Sequence, residues 1–514
     1  MQLRILFFML ISMILSIQSA NAKSIDEIIE GYFAPFSDSF SSFIFTPVPL
    51  LPVKIPILIL LMIVASIFFT FYFRGMNIWG FKHGFSRIFH KNDDNKDHKG
   101  EVSSFGALAT ALSGTIGLGN IAGVAIAISL GGPGAMFWMC MGAVFGMALK
   151  FCEVTLALKH RIINKDGSVS GGPMFYIQHG FSKIGYRRLG KTLAYIFAIA
   201  CVPATFGGGC MLQTNQAAQQ FAVITGGENS FFATHSWVVG VIVATIVGLV
   251  IVGGIKSIAK VTSKIVPVMC VLYLGACLFV IATQFMHIPH AIATIFKEAF
   301  MPNAVTGGIV GCIIIGLRRS IQSNEAGIGS SPIAYAAVKT DEPASQGFIS
   351  MLEPFLDTIV VCSMTAFVII LTGEYQNYSE GISGVELTSA AFQNVIPFFP
   401  YLLAIIIILF ALSTTISWAY YGQKAYAFLV GEGKKRTVVY QLIFCMFIVI
   451  GSAMNIKSVI DFTDATYLLM AAPNLIAIFI MLPEIKDELK LYCKKHNLVN
   501  VMNRVWFENE QWFK

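Results

Sequence analysis

Two stretches of this 514-residue chain place glycine and small polar residues inside apolar runs. The first reads Thr110-Ala111-Leu112-Ser113-Gly114-Thr115-Ile116-Gly117-Leu118-Gly119-Asn120-Ile121-Ala122-Gly123. Gly114, Gly117 and Gly119 lower the cost of leaving the helical conformation. Unwinding at membrane depth frees N–H and C=O groups that lipid cannot satisfy, so a break is tolerated only where it is buried or lines a cavity. There it becomes a binding surface. The amides and positive dipole end of a half-helix starting near Asn120 suit a carboxylate, and the unwound carbonyls suit a small cation. Close helix packing also uses glycine, and it accounts for Gly142 with Gly146. It does not call for Ser113, Thr115 and Asn120 as well. Gly117-x-Gly119 lacks the strand-helix unit and the ribose-binding acid of a dinucleotide site.

The second stretch runs from Gly311 to Pro332 and holds Arg318, Arg319, Ser323, Asn324, Glu325, Gly327 and Gly329. Charges facing hydrocarbon are expensive, so these face protein or a water-filled vestibule. Asn324 and Glu325 serve either to cap and hold a second broken helix or to bind.

The elements that position these residues are membrane helices. Of the residues 56% are apolar and 12% charged, with a mean hydropathy of +0.71, whereas a soluble chain is nearer half apolar and a quarter charged. Residues 1–22 have the form of a cleavable signal peptide, with Arg4 before an apolar run and an ending of Ala20-Asn21-Ala22. An extracytoplasmic segment at 23–52, a transmembrane domain at 53–482 and a cytoplasmic tail at 483–514 follow. A span takes about 20 helical residues, which gives eleven predicted spans: 53–73, 105–130, 134–158, 192–221, 237–254, 265–286, 307–335, 348–372, 400–429, 437–454 and 463–482. The expected fold class is thus an all-α polytopic membrane protein. The two broken helices are the second and seventh spans, five crossings apart. That spacing predicts a five-plus-five inverted repeat, each half led by a broken helix, with a site at midplane and the first helix outside the repeats.

Lys and Arg set the orientation. The predicted inner loops carry Arg74, Lys82, Arg87, Lys159, Arg161, Lys183, Arg187, Arg188, Lys256, Lys260, Lys264, Lys434, Lys435 and Arg436, while the outer loops 222–236 and 373–399 carry neither. The formal charge of +7 belongs to these loops, and without aromatic interleaving it does not describe a nucleic-acid surface. The ten cysteines show no CxxC spacing, which argues against a disulfide framework or zinc site. An intramembrane enzyme would need convergent catalytic groups such as HExxH or a GxGD pair, and the spans have none. A channel filter lies in a re-entrant loop and repeats around an axis, whereas these breaks are an unequal pair in full spans.

Four motifs carry a family resemblance: Ser113-Gly114-Thr115-Ile116-Gly117-Leu118-Gly119-Asn120-Ile121-Ala122-Gly123-Val124-Ala125, Gly171-Gly172-Pro173-Met174-Phe175-Tyr176-Ile177, Ser323-Asn324-Glu325-Ala326-Gly327-Ile328-Gly329-Ser330, and Ser413-Thr414-Thr415-Ile416-Ser417-Trp418-Ala419-Tyr420-Tyr421-Gly422. From about residue 50 to 485 the chain resembles the alanine or glycine to cation symporters. The resemblance implies a LeuT-type fold, a plasma (inner) membrane location, coupling to sodium or sometimes to protons, and a substrate of alanine or glycine size. It implies no resident cofactor and no obligate protein partner. Carried over, it makes Gly117, Gly119 and Asn120 the carboxylate and sodium platform with Thr115 beside it. It also gives Gln213, Thr414 and Trp418 to the substrate pocket, and Ser413 and Thr414 to sodium. Read without it, Trp418 is an interfacial anchor and Gln213 an inter-helix strut before either is a pocket residue. Two departures bear on substrate choice. Gly209-Cys210 stands where the family has Gly-Asn, and Ser320-Ile321-Gln322 where it has Gly-Leu-Phe.

The charge asymmetry places Lys434 and Lys494 inside and Gly226 and Glu374 outside. Single cysteines at these positions, on a background without native cysteines, should react with an impermeant reagent in intact cells only at 226 and 374. Labelling of position 434 from outside would overturn the order of the helices.

Overall fold

The computed structural model describes residues 24–46, 56–88, 99–165, 167–301, 308–377 and 384–498. The expected signal peptide and its cleavage site lie outside these residues. Each of the eleven predicted intervals holds helix. The amphipathic helix α1 (Ile25–Ile44) precedes them within the expected extracytoplasmic segment, and sequence reading had not marked it as helical. Its start carries a reciprocal cap, in which Ser24 Oγ accepts from the Glu27 amide at 3.2 Å and Glu27 Oε2 from the Ser24 amide at 3.3 Å.

Helix α2 (Ile57–Tyr72) turns through 77° at Arg74 and Gly75 into α3 (Met76–Ile88). The glycine-rich stretch forms α4 (Ser104–Thr115), a 3-10 turn at Leu118–Asn120 and α5 (Ala122–Gly131), bent by 55°. Next come α6 (Ala135–Lys159) and, beyond an antiparallel pair of two-residue strands, β1 (Ile162–Ile163) and β2 (Val169–Ser170), α7 (Pro173–Lys183). The fourth predicted span is α8 (Arg187–Phe206) and α9 (Leu212–Ile224), joined by a π-helical turn at Gly207–Met211.

Helices α10 (Trp237–Ile251), α11 (Gly254–Thr283) and α12 (Ile288–Phe300) lead to the second break. There α13 (Gly308–Asn324) stops. Glu325, Gly327 and Gly329 take positive φ values of 58°, 89° and 88°, and the chain resumes as a short helical turn at Pro332–Tyr335. Helix α14 (Pro343–Ser350) passes through a π-helical segment at Phe355–Cys362 into α15 (Ser363–Thr372), and α16 (Val385–Val395) follows. The chain ends with α17 (Phe399–Val430), α18 (Lys434–Ser452), α19 (Ile456–Ile480) and α20 (Leu482–Lys495).

Among the described residues seven helices are long and apolar enough to cross a membrane, and the two bent pairs bring that to nine. Helices α10 and α13, at 15 and 17 residues, lie in predicted intervals but are too short to be counted among these. Burial sorts the helices by place. Helix α17 is inside, with Ser413 through Tyr421 all buried, while α11 turns Val268, Val271, Leu278 and Phe279 outward, as a lipid-facing helix does. The small faces of α6 meet α13 as packing glycines do, since a Cβ on Gly142 would stand 2.7 Å from Ser320 Oγ and one on Gly146 2.8 Å from Ala326 Cβ. The tail helix α20 docks through His160 Nε2 on Glu484 at 2.9 Å and through Lys159 on Glu488. Partial burial alone would raise the Glu484 carboxyl, but the His160 hydrogen bond, with the charges of His160, Lys183 and Lys159, brings it down to about 2.

The π turn at Gly207–Met211 brings its backbone against α18, so that a Cβ on Gly451 would stand 2.3 Å from Met211 Cα. Gly451→Ala should overpack this contact at a cost of about 1–3 kcal/mol and lower the unfolding temperature in detergent. Gly275→Ala, on the exposed face of α11 with no atom within 4 Å, should not lower it. Equal unfolding temperatures would mean that the contact does not constrain the fold.

Candidate functional site

The first break is buried among α9, α13, the Phe355–Cys362 segment and α17. Two amides at the break are taken by side chains, that of Gly117 donating to Asn120 Oδ1 at 2.9 Å and that of Leu118 to Gln213 Oε1 at 2.9 Å. Gln213 is held in turn, its Nε2 donating to the Gly208 carbonyl at 3.0 Å. Thr414 Oγ1 reaches the Ile116 carbonyl at 3.5 Å, and Trp418 Nε1 the Gly114 carbonyl at 3.3 Å. Glycine is needed where these walls close in. A Cβ on Gly117 would stand 2.5 Å from Thr414 Oγ1, and one on Gly209 2.6 Å from Trp418 Cβ. The Trp418 ring also stacks on Tyr467, with centroids 5.2 Å apart.

Asn120 looks the other way as well. Its Nδ2 donates to Asp357 Oδ1 at 2.6 Å and to the Asp357 carbonyl at 3.0 Å, and it lies 3.4 Å from Ser323 Oγ and 3.3 Å from Cys362 Sγ. The second carboxylate oxygen of Asp357 accepts from Ser323 Oγ and from Thr358 Oγ1, the latter at 2.7 Å. A fully buried carboxylate ringed by hydroxyl and carbonyl oxygens, beside a helix break, is a hard-cation environment. Sequence reading missed Asp357. The available signal was its acidic side chain within a predicted span, which by itself marks a functional position. Groups of three or more His, Cys, Asp or Glu side chains able to hold a metal are absent among the described residues; the groups around Asp357 are the hydroxyls of Ser323 and Thr358 and the carboxamide of Asn120.

The second break is stapled by a different set. Asn324 Oδ1 caps the Ala326 amide at 3.0 Å, and Asn474 Nδ2 takes the Gly327 carbonyl at 2.9 Å and Glu153 Oε1 at 2.6 Å. Tyr176, from the 171–177 motif, donates to Asn474 Oδ1. Lys150 sits 2.9 Å from Glu353 and 2.8 Å from Ser331 Oγ. Glu325 accepts from Ser330 and, at 3.1 Å, from Trp418 Nε1, which ties the two breaks together through one indole. On the opposite flank of α13, Arg318 Nε pairs with Asp464 at 2.7 Å, Arg319 pairs with the same carboxylate, and Asp461 lies 3.7 Å from Arg318.

The structure therefore brings Gly117, Asn120, Gln213, Thr414 and Trp418 to one place, with Gly119 facing Ser323 and Gln322 across the break. Two of the residues marked for sodium are turned to their own helices. Thr115 Oγ1 bonds the Ala111 carbonyl at 3.3 Å, and Ser413 Oγ bonds the Phe410 carbonyl at 2.9 Å. The Ser413 main-chain oxygen accepts from Ser113 Oγ at 2.7 Å. The half-helix begins at Ala122, two residues later than expected, because Asn120 is consumed in the 3-10 turn.

The profile of the sodium:alanine symporter family matches residues 42–503. A relative named sodium/alanine symporter AgcS, from Methanococcus maripaludis, is 39% identical over 85% of this chain and 94% of its own length. A relative named as a probable sodium/glutamine symporter, GlnT of Bacillus subtilis, is 35% identical over 85% of this chain and 88% of its own. Among solved structures, MhsT in complex with L-phenylalanine superposes with a TM-score of 0.56 at 15% identity, over 74% of this chain and 89% of MhsT. That likeness shows a shared LeuT-type fold.

The closeness of Thr414 to Gly117 predicts that Gly117→Ala wedges the first break open and abolishes transport, whereas Gly123→Ala, with nothing within 4 Å, leaves it near wild type at matched expression. Solute uptake into vesicles measures both. Equal activity of the two variants would mean that the break does not depend on this contact.

Proposed function

Because this chain belongs to the sodium:alanine symporter family, we propose that it is a secondary active symporter of the inner membrane that couples sodium entry to uptake of a small neutral amino acid, alanine or glycine. The observation that carries this reading is the joint presence, at one buried break, of two backbone amides capped by side chains and a buried carboxylate with hydroxyl partners. The amides of Gly117 and Leu118 are held by the carboxamide oxygens of Asn120 and Gln213. A substrate carboxylate takes their place without leaving a donor unpaired. Asp357, Ser323 and Thr358, with Asn120 between them and the amides, form the sodium side. Asn120 touches both, so the binding of one ligand sets the geometry offered to the other, which is the coupling a symporter requires.

Alternating access then follows from the two flanks of α13. The Arg318, Arg319, Asp461 and Asp464 cluster closes the outer path. The Lys150, Glu353 and Asn474 staples close the inner one around the second break. In this reading eleven crossings form a five-plus-five inverted repeat, the N-terminus after signal cleavage lies outside and the C-terminus inside. Thr115 and Ser413 enter the sodium site only if their hydroxyls turn from their own helices. One sodium moving through about 100 mV supplies about 2.3 kcal/mol, and a tenfold sodium gradient adds about 1.4 kcal/mol. Together these sustain roughly 500-fold accumulation. The relative named as a glutamine symporter supports variation of the substrate on this scaffold, and proton coupling is the second reading of the ion.

Radiolabelled alanine should accumulate in vesicles under an inward sodium gradient, stop when choline replaces sodium, and be competed by glycine. Asn120→Ala and Asp357→Asn should each abolish the sodium-dependent part while the protein remains in the membrane. Passive equilibration would mean a channel, and accumulation indifferent to sodium would transfer the coupling to protons.

A further inference from the structure

The last turn of α13 places Gln322 beside the first break. Its main-chain oxygen lies 4.0 Å from where a Cβ on Gly119 would stand, and the next residue, Ser323, touches both Asn120 and Asp357. The Gln322 side chain accepts from Arg319 through Oε1. A guanidinium has only donors, so this contact fixes which end of the amide is which. The oxygen faces Arg319, and the Nε2 group faces away from it. Arg319 is itself fixed by Asp464, which Arg318 grips at 2.7 Å.

The other carboxamides at the breaks have both ends engaged. Gln213 accepts from Leu118 and donates to Gly208, Asn120 accepts from Gly117 and donates to Asp357, and Asn324 accepts from Ala326 and donates to Ser320. Gln322 Nε2 has no hydrogen-bond partner among the described residues. Gln322 is 8% exposed, against 1% for each of Ser323, Asn324 and Glu325, and is the least enclosed of the four. It is a spare donor, oriented by a salt-bridged arginine, on a residue whose main chain lines the break.

We infer that Gln322 is a specificity-determining residue that selects a side-chain oxygen, so that serine is preferred to alanine and glycine. The inference rests on the symport reading, in which the Gly117 and Leu118 amides take the substrate carboxylate and leave the Gln322 donor for the side chain. The preference is a difference between two substrates at one site, which comes from a polar group left unpaired by the wrong one.

The test is the ratio of kcat/KM for serine to that for alanine, measured in proteoliposomes with wild type, Gln322→Leu and Gln322→Met. Wild type should favour serine by about three- to tenfold, the effect of one neutral hydrogen bond, and both variants should bring the ratio to near one. A wild-type ratio near one, or the same ratio in all three proteins, overturns the inference. So does an equal fall for both substrates, which would assign the amide to the common amino-acid backbone. Sodium-driven uptake of alanine by wild type tests the symport reading separately. Its absence sinks that reading and this inference together, whereas its presence with an unchanged ratio sinks only the inference.

Discussion

A peptide group released from a helix inside a bilayer has no water to turn to, and the architecture around both breaks answers that constraint. At the first, side chains from α9 and from the break itself take the Gly117 and Leu118 amides. At the second, Asn474 reaches across from α19 to the Gly327 carbonyl. Gln213 and Asn474 come from distant parts of the sequence, so neither break is fully satisfied until the bundle is assembled. The same groups that make the breaks tolerable make them responsive, because a side chain that stands in for a missing helix bond can be exchanged for a ligand.

Charge follows the same logic. Arg319, Asp464, Lys150 and Glu353 are all buried, and each pairs with an opposite charge. Removing one member of such a pair strands the other, typically at about 3–5 kcal/mol, although the intact pair adds little net stability. The Arg319–Asp464 pair ties α13 to α19, and Lys150, paired with Glu353, also bonds Ser331 just beyond the second break.

Much of this was legible in the sequence where residue type alone carries the information. Three clustered glycines with polar neighbours announced the first break, and Glu325, Gly327 and Gly329 the second. The spacing of Thr414 and Trp418 put them on one face of α17. What was not legible depends on partners brought together only by folding. Asp357 lies in an interval otherwise read as plain membrane helix, and its role comes from Asn120, 237 positions earlier. Thr115 and Ser413 look like ion ligands by type, yet their hydroxyls are within reach of their own helix carbonyls, a competition that spacing cannot decide. Helix α1 escaped notice because its exposed face carries Tyr32 and Phe43, which blurs the amphipathic pattern. The cap at Ser24 and Glu27 was the readable sign.

The π-helical stretch at Phe355–Cys362 has a consequence for phase. Asn120 contacts both Asp357 and Cys362, residues five apart. At about 100° per residue an α-helix would turn two such positions about 140° away from each other, while the i to i+5 pattern of a π-helix brings them onto one side. The carboxylate and the thiol therefore converge on the break only because the helix carries an extra residue there. Losing a single residue within the stretch would rotate everything beyond it, including Thr365, whose hydroxyl bonds the Asn120 carbonyl at 2.8 Å. Chain length at this point is held as tightly as side-chain identity.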